Sequence, residues 1–301
     1  IALGVSNRDY RRSLDAVSES VDERSVSKSA VSRRFVALST QQLSEWMSQP
    51  LGDLDLRVVQ IDGVHFHEHV VLIALGVDAE GHKHVLGLRE GTTENTTVVR
   101  ALLADLVDRG LSPERAPLFA IDGAKALRKA LTAVFGSSVI VQRCQVHKRR
   151  NVLEHLPERM RPSVRKAMQQ AYDTADAALA HRQLERLAKS LERAHPGAAA
   201  SLREGLEETL TLQRLGITGA LYRTLRSTNP IENLNGLLGR FTRNVKRWRD
   251  GSMIVRWIAA GIFEAKRRFR RIRGYRDLNA LLSAIGRHTE GRTLDLEKYV
   301  A

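Results

Sequence analysis

LRVVQIDGVHFHEHVVLIALGVDAEGHKHVLGLREG, residues 56–91, decides the fold. It divides into three runs of β character: LRVVQIDGVHF, HVVLIALGVD and KHVLGLREG. The turn signal AEG parts the last two. Short apolar runs bounded by turn residues read as strands joined by antiparallel connections. Downstream, NTTVVRALLADLVDR (95–109) changes to helical periodicity. Val98, Leu102, Leu103 and Leu106 fall on one stripe, and Asn95 or Thr96 can cap the start. APLFAIDG (116–123) then reads as a buried strand and GAKALRKALTAVFG as a helix closed by Gly136. SVIVQRCQVH (138–147) reads as one more strand.

The order β-β-β-α-β-α-β is the one found in RNase H-like domains, a mixed sheet with helices packed on it. From about 148 to 226 the strand pattern stops. That stretch is charged, rich in Ala and Leu, and punctuated by Pro157, Pro162 and Pro196, so it reads as an all-α insertion. Helical periodicity resumes from 229. On the other side of the sheet, Leu14, Val17 and Val21 recur at helical spacing, and a polar turn follows at Asp22–Arg24. VSKSAVSRRFVAL then offers Val26, Val31, Phe35 and Leu38 as an apolar face, with Ser29, Arg33 and Arg34 pointing elsewhere. A short helix, a turn and a second helix bearing Ser and Arg read either as a helix-turn-helix contacting DNA or as a plain α-hairpin. The expected fold is therefore α/β: an RNase H-like mixed sheet flanked by helices, with an all-α insertion and an N-terminal helix-turn-helix. The expected division is 1–50 for the helix-turn-helix-like segment, 51–150 for the first part of the core, 151–226 for the insertion, and 227–301 for the last part of the core with basic helices. The chain opens at Ile1 inside a polar helical pattern, and further residues are expected upstream.

The 301 residues carry 48 Lys+Arg against 34 Asp+Glu, a net charge of +14. A balance that basic points to a polyanionic partner, nucleic acid before an anionic membrane. Residues 240–276 hold thirteen Arg and Lys against Asp250 and Glu264, a net +11, so most of the excess lies there. No uninterrupted apolar stretch approaches the ~20 residues that a membrane span needs. The single Cys excludes an internal disulfide framework and fits a cytoplasmic setting. No P-loop glycine pattern and no GxSxG elbow occurs, so neither ATP use nor a serine hydrolase is implied.

Three acids carry the chemical reading. Asp62 and Asp122 each end an apolar β-type run, VVQI and LFAI, and each is followed by Gly. A carboxylate at the end of a buried strand is costly unless it is paired or bound to metal. Either could instead be a turn residue. Glu232 lies in STNPIENLN, where Asn229-Pro230 reads as a cap with Pro at the first helical position. Glu232 then sits in the first turn, where the helix N-terminus favours negative charge, and Asn233 and Asn235 add amides nearby. Three such acids at one end of a sheet could hold divalent ions about 3.5–4 Å apart for phosphodiester chemistry. Hard oxygen donors suit Mg²⁺, with Mn²⁺ able to substitute, rather than Zn²⁺. Arg240 and Arg243 lie on the same helix as Glu232 and could reach phosphates, with Lys246, Arg247 and Arg249 just beyond. Cys144 and His147 make a CxxH pair with no second pair to complete a zinc set. His147 could bond a phosphate or orient a ligand, or the pair could simply pack at the sheet end. His65, His67 and His69, with His82 and His84, read as solvated hairpin residues before a metal cluster.

Taken in order, these segments resemble the mutator-type transposases of bacterial insertion sequences, a branch of the DDE transposases with an RNase H-like catalytic domain. VVQIDGVHF, LFAIDGAKALRKALTAVFG, VQRCQVHKRRNVLEHLP, LRSTNPIENLNGLLGRFTRNVKRW and DGSMIVRWIAAGIFEAKRRFRRI carry the resemblance, with SKSAVSRR before them. It implies that Asp62, Asp122 and Glu232 are the three metal ligands and that Cys144 and His147 fill the CxxH signature near them. It implies a Mg²⁺-dependent enzyme that binds double-stranded DNA at inverted-repeat ends, cleaves it, and joins it to target DNA, acting as a homodimer on the bacterial nucleoid. The other readings of the same residues are an RNase H-like nuclease that hydrolyses without joining, and a non-catalytic site-specific DNA-binding protein.

Overall fold

The computed structural model describes residues 28–288 apart from 67, 92–94 and 246, and leaves the side chains of 28–32 undescribed. Helix α1 (Lys28–Met47) leads into β1 (Leu56–Phe66), β2 (His69–Asp78) and β3 (Lys83–Gly91). Then follow α2 (Thr96–Asp108), β4 (Leu118–Ile121), α3 (Lys125–Phe135) and β5 (Val141–Arg143). Among the described residues the strands form one mixed sheet in the order β3-β2-β1-β4-β5. The first three pair antiparallel, whereas β4 lies parallel to β1 and β5 parallel to β4. The parallel steps need crossover connections, and α2 and α3 supply them.

Side chains alternate between the two faces of a strand, and that alternation sorts the core. Val59 and Ile61 of β1, with Phe119 and Ile121 of β4, pack against Leu102, Leu103 and Leu106 of α2 and Leu127 and Leu131 of α3. Val58 of β1, with Leu118 and Ala120 of β4, faces the other way, toward Leu212, Leu221 and Leu225. Asp62 and Asp122 share the parity of Val58 and Leu118, so they belong to this second face.

The helices continue as α4 (Gln145–Glu154), α5 (Arg161–Asp173), α6 (Ala177–Leu191) and α7 (Pro196–Arg203). Two short turns, α8 (Leu206–Thr209) and α9 (Thr211–Arg214), lead to α10 (Gly219–Leu225), α11 (Asn229–Thr242) and α12 (Gly251–Lys266). Residues 278–288 are helical as well. Val152, Val164, Met168, Tyr172, Leu184, Leu191 and Leu202 gather in a core of their own. On α6 the buried positions Ala180, Leu184, Ala188 and Leu191 make one stripe at helical spacing. Pro162 and Pro196 stand at helix starts, where the missing N–H costs nothing. The chain leaves and rejoins the sheet region at one place: Gln145 N donates to Arg226 O at 2.9 Å. Helices α11 and α12 cover the second face over β2 and β3, with Ile231, Leu234, Leu238, Ile254, Ile258 and Ile262 against Ile73, Leu75 and Val85.

Several expectations change. The first helix of the expected helix-turn-helix lies outside the described residues. Helix α1 runs on to Met47 instead of stopping near Leu38, because Trp46 anchors it: the indole is buried and its Nε1 donates to Val85 O at 3.2 Å. Leu38 is 49% exposed and so is no part of an apolar face, while Ser39 is buried. On α2 the buried residue is Val99 rather than Val98, and Asn95 is the cap, its side chain accepting from Val98 N. Strand β1 spans the whole expected run LRVVQIDGVHF, so Asp62 ends the apolar stretch VVQI without ending the strand, since β2 pairs with it along the whole length. Strand β5 stops at Arg143, and Cys144 caps α4 rather than ending a strand.

Candidate active site

Ile61 pairs with Ile121 in the parallel β1–β4 register. Asp62 on β1 and Asp122, the residue just past the end of β4, therefore occupy neighbouring positions on the same side, about one strand spacing of ~4.8 Å apart. Burial pushes the Asp62 carboxyl up, and the charge of Asp122 pushes it further, to about 6. The Gly63 N–H and His147 pull the other way, and Glu232 adds to the rise. Asp62 thus feels Asp122, Glu232 and His147 together, so residues far apart in sequence share one electrostatic neighbourhood.

The turn after Asp122 is tightly built. Ala124 N donates to Asp122 Oδ1 at 2.8 Å. Gly123 has φ of 105°, and a Cβ there would lie 2.4 Å from Arg143 Nε. The Arg143 guanidinium is buried and donates to Gly123 O and, at 2.8 Å, to Glu204 O. Gly123 is therefore required for its backbone conformation and for close approach. Gly63, in a continuous strand, is not a turn residue.

Glu232 is placed by the first turn of α11. The cap is Thr228 rather than Asn229, and Pro230 follows at the second helical position. Thr228 Oγ1 donates to Glu232 Oε1 at 2.5 Å. Gln60, fully buried two residues before Asp62, fastens this turn to β1. Its Oε1 accepts from Ile231 N at 3.0 Å, and its Nε2 donates to Ser227 O at 3.4 Å. One side chain thus gives the Ile231 N–H a second acceptor beside Thr228 O and sets Glu232 beside the sheet. Asn235, one helical turn past Glu232, donates Nδ2 to Asp62 Oδ2 at 2.8 Å. Its Oδ1 is buried without a partner. Asn229 and Asn233 are exposed, and neither bonds to an acid among the described residues.

Cys144 and His147 lie at the start of α4, beside Glu232. His147 N donates to Cys144 Sγ at 3.5 Å, and His147 Nδ1 is 3.3 Å from Thr228 Oγ1 and 3.7 Å from Glu232 Oε1. Burial pushes the Cys144 thiol up, but hydrogen bonds from His147 and Thr228 outweigh it and hold the thiol below its usual value. The bond with Cys144 holds His147 above the usual imidazole range despite partial burial, with help from Glu232 and Asp122. Ligand atoms of Cys144, His147 and Glu232 all lie within 4.8 Å of one another. Among the described residues Asp62, Asp122 and Glu232 form no set that tight. Their oxygens are nonetheless hard donors, mutually repelling and partly desolvated, with the unpartnered Asn235 Oδ1 among them. That donor set fits a hard divalent cation.

Of the basic residues expected to meet DNA, Arg33, Arg34, Arg240, Arg243, Arg247 and Arg249 are exposed, and none forms an ion pair among the described residues. The side chain of Ser29 and all of Lys246 lie outside the described residues. Among the histidines, His84 Nε2 is 2.7 Å and His82 Nδ1 3.3 Å from Asp78, and His69 Nδ1 is 2.5 Å from Glu90. His67 lies outside the described residues. Gln60, Thr228 and Asn235 are the site residues that residue-by-residue reading underrated. Gln60 had a signal, a lone amide inside the apolar run VVQI.

The sequence profile of the family described as "Transposase, Mutator family" matches residues 2–271. The chain is 28% identical over 237 residues to the transposase for insertion sequence element IS6120 of Mycolicibacterium smegmatis, covering 76% of this chain and 71% of that one. It is 30% identical over 277 residues to a probable transposase for an insertion sequence element of Corynebacterium diphtheriae, covering 88% and 78%. The transposase for insertion sequence element IS256 in transposon Tn4001 of Staphylococcus aureus is 27% identical over 249 residues, covering 78% and 62%.

Proposed function

This chain belongs to the Mutator family of transposases, and on that premise we propose that it cleaves DNA at the ends of an insertion sequence and joins the freed ends to a target. Asp62, Asp122 and Glu232 are the ligands of Mg²⁺, which Mn²⁺ can replace. The observation that carries this reading is the shared parity and register of Asp62 and Asp122, with Gln60 fastening the turn that bears Glu232. Bound divalent ions lower the pKa of an attacking hydroxyl and offset charge on the scissile phosphate.

The chain's own groups do the positioning. Asn235 steers one Asp62 oxygen by its amide and leaves the other to the Gly63 N–H. Thr228 holds one Glu232 oxygen and leaves the second free to bind. His147, kept protonated at higher pH than usual by its neighbours, is suited to donate to a phosphate oxygen. The sheet order, with three antiparallel strands and two parallel ones, supports an RNase H-like core. In this reading residues 151–226 are a helical insertion and residues 1–50 a helix-turn-helix segment. The exposed Arg residues of α11 and beyond track the backbone of double-stranded DNA, and two chains act together on paired ends in the bacterial cytoplasm. No helix among the described residues is long and apolar enough to cross a membrane.

Glu232→Gln tests the assignment. It is expected to abolish strand cleavage in Mg²⁺ while leaving binding of end DNA within about two-fold, because the change removes a charge without shifting Gln60 or Thr228. Undiminished cleavage by the variant overturns the site. Joined products from the wild-type chain distinguish a transposase from a nuclease that only nicks.

A further inference from the structure

A second charged feature lies well away from the acids. A cavity of about 330 Å³ opens beside the β2–β3 turn, lined by His82, Lys83, His84, Lys266, Phe269 and Arg270. Five of the six are basic. Lys83 Nζ stands 4.9 Å over the Phe269 ring, and Lys266 Nζ lies 5.3 Å from Trp46 and 5.9 Å from Phe263. Neither ammonium has an ion pair or hydrogen bond among the described residues, and partial burial alone pulls both below the usual lysine range. Of the nearby acids, Glu80 is exposed to solvent beside Asp78 and His82, and two others are already engaged. Asp78 is held by His82 and His84, and Glu264 by Arg267 and Arg268. Ring faces soften an ammonium's loss of water but do not neutralise it. Two half-buried cations facing one concave space therefore lack a counter-anion.

We infer that this cleft is a secondary docking site for the phosphate backbone of DNA, built from Lys83, Lys266 and Arg270 around the Phe269 ring. The inference rests on the proposed function for its choice of anion. The position suits a backbone running on from the acids. Helix α12, which ends at Lys266, packs on the same sheet face as α11. Asp62 is paired with Ile73, Ile73 with Leu88, and Lys83 with Val77. Two strand spacings across and four residues along make about 17 Å from Asp62 to Lys83. That is roughly five steps of a DNA strand at ~3.4 Å each. The separation is therefore within the length of a single duplex engaged at the acids.

The test uses the full chain and its Lys83→Gln/Lys266→Gln double variant, with a duplex of about 30 base pairs of arbitrary sequence, bound in Ca²⁺ across a salt series. The expected result is weaker binding, with the slope of log K against log salt shallower by about 1.8, or about 0.9 per lost phosphate contact. Melting of the variant is expected to be no lower than that of the wild type, since both removed cations were uncompensated; a merely structural role would lower it. An unchanged slope in a variant that still folds overturns the cleft. So does loss of pyrophosphate binding, followed by calorimetry, with the duplex slope unaltered, which marks a small-anion site. A wild-type chain that binds no duplex at all overturns the proposed function itself, and the cleft with it.

Discussion

Asp62 is an acid held where ionisation is resisted, by loss of water and by the charge of Asp122. Its pKa is raised from 3.8 to about 6, so its native form favours the proton. The stability it contributes is present in full below pH 3.8 and lost as pH rises through about 6. Asp62→Asn is therefore expected to stabilise the metal-free protein at pH 8, by on the order of 1–3 kcal/mol, and to have little effect near pH 4. Paired denaturant melts at the two pH values check this, and a variant less stable at pH 8 contradicts it. Gln60→Leu removes two hydrogen bonds, leaving Ile231 N its bond to Thr228 O alone and Ser227 O without this donor, and costs about 1–3 kcal/mol. Cleavage is expected to fall with it, because Glu232 loses its anchor. Asn235, the partner of Asp62, shows where residue-by-residue reading stops. Asn229, Asn233 and Asn235 are equally polar in sequence, and only the direction of each side chain on α11 picks out Asn235 as the one that reaches Asp62. Asp62 and Asp122 could be read because each ends an apolar run, and Glu232 because Asn229-Pro230 marks a helix start. Their supporting amides could not, apart from Gln60, because amides are common at helix starts.

At the scale of elements, the order of strands and helices follows from local pattern, but several ends do not. Nothing local to IDG at 61–63 distinguishes it from IDG at 121–123. The first continues as strand because β2 offers Asp62, Gly63 and Val64 pairing partners; the second turns because Arg143 draws the chain in. Gly123→Ala tests the difference. With φ of 105° and Arg143 in the way, the substitution is expected to cost about 1–3 kcal/mol and to impair cleavage. Gly63→Ala, in an ordinary strand, is expected to be mild when the two variants are compared by thermal melting. Helix α1 outran its expected length for a tertiary reason, the burial of Trp46 against β3 and α12. Trp46→Ala is expected to cost about 3–5 kcal/mol and to expose α1 to proteolysis.

For the molecule as a whole, the charge on the acids links folding to metal. A cation that binds only the native state raises the melting temperature by mass action. Addition of Mg²⁺ is expected to stabilise the protein more at pH 8 than at pH 5, where Asp62 holds its proton. An equal shift at both pH values, seen by scanning calorimetry, would count against Asp62 as a ligand. The helices from α4 to α10 bear on a different property. Their two ends are stitched together by Gln145 and Arg226, and their apolar residues from Val152 to Leu210 satisfy one another. The chain therefore makes an excursion that starts and finishes at a single doorway. Its outer part, away from Glu204, Thr209 and the sheet-packed Leu212, Leu221 and Leu225, can be lengthened or trimmed while the frame around the acids stays whole. A cut at its far end, in the turn at residues 192–195, should leave two fragments that still travel as one particle.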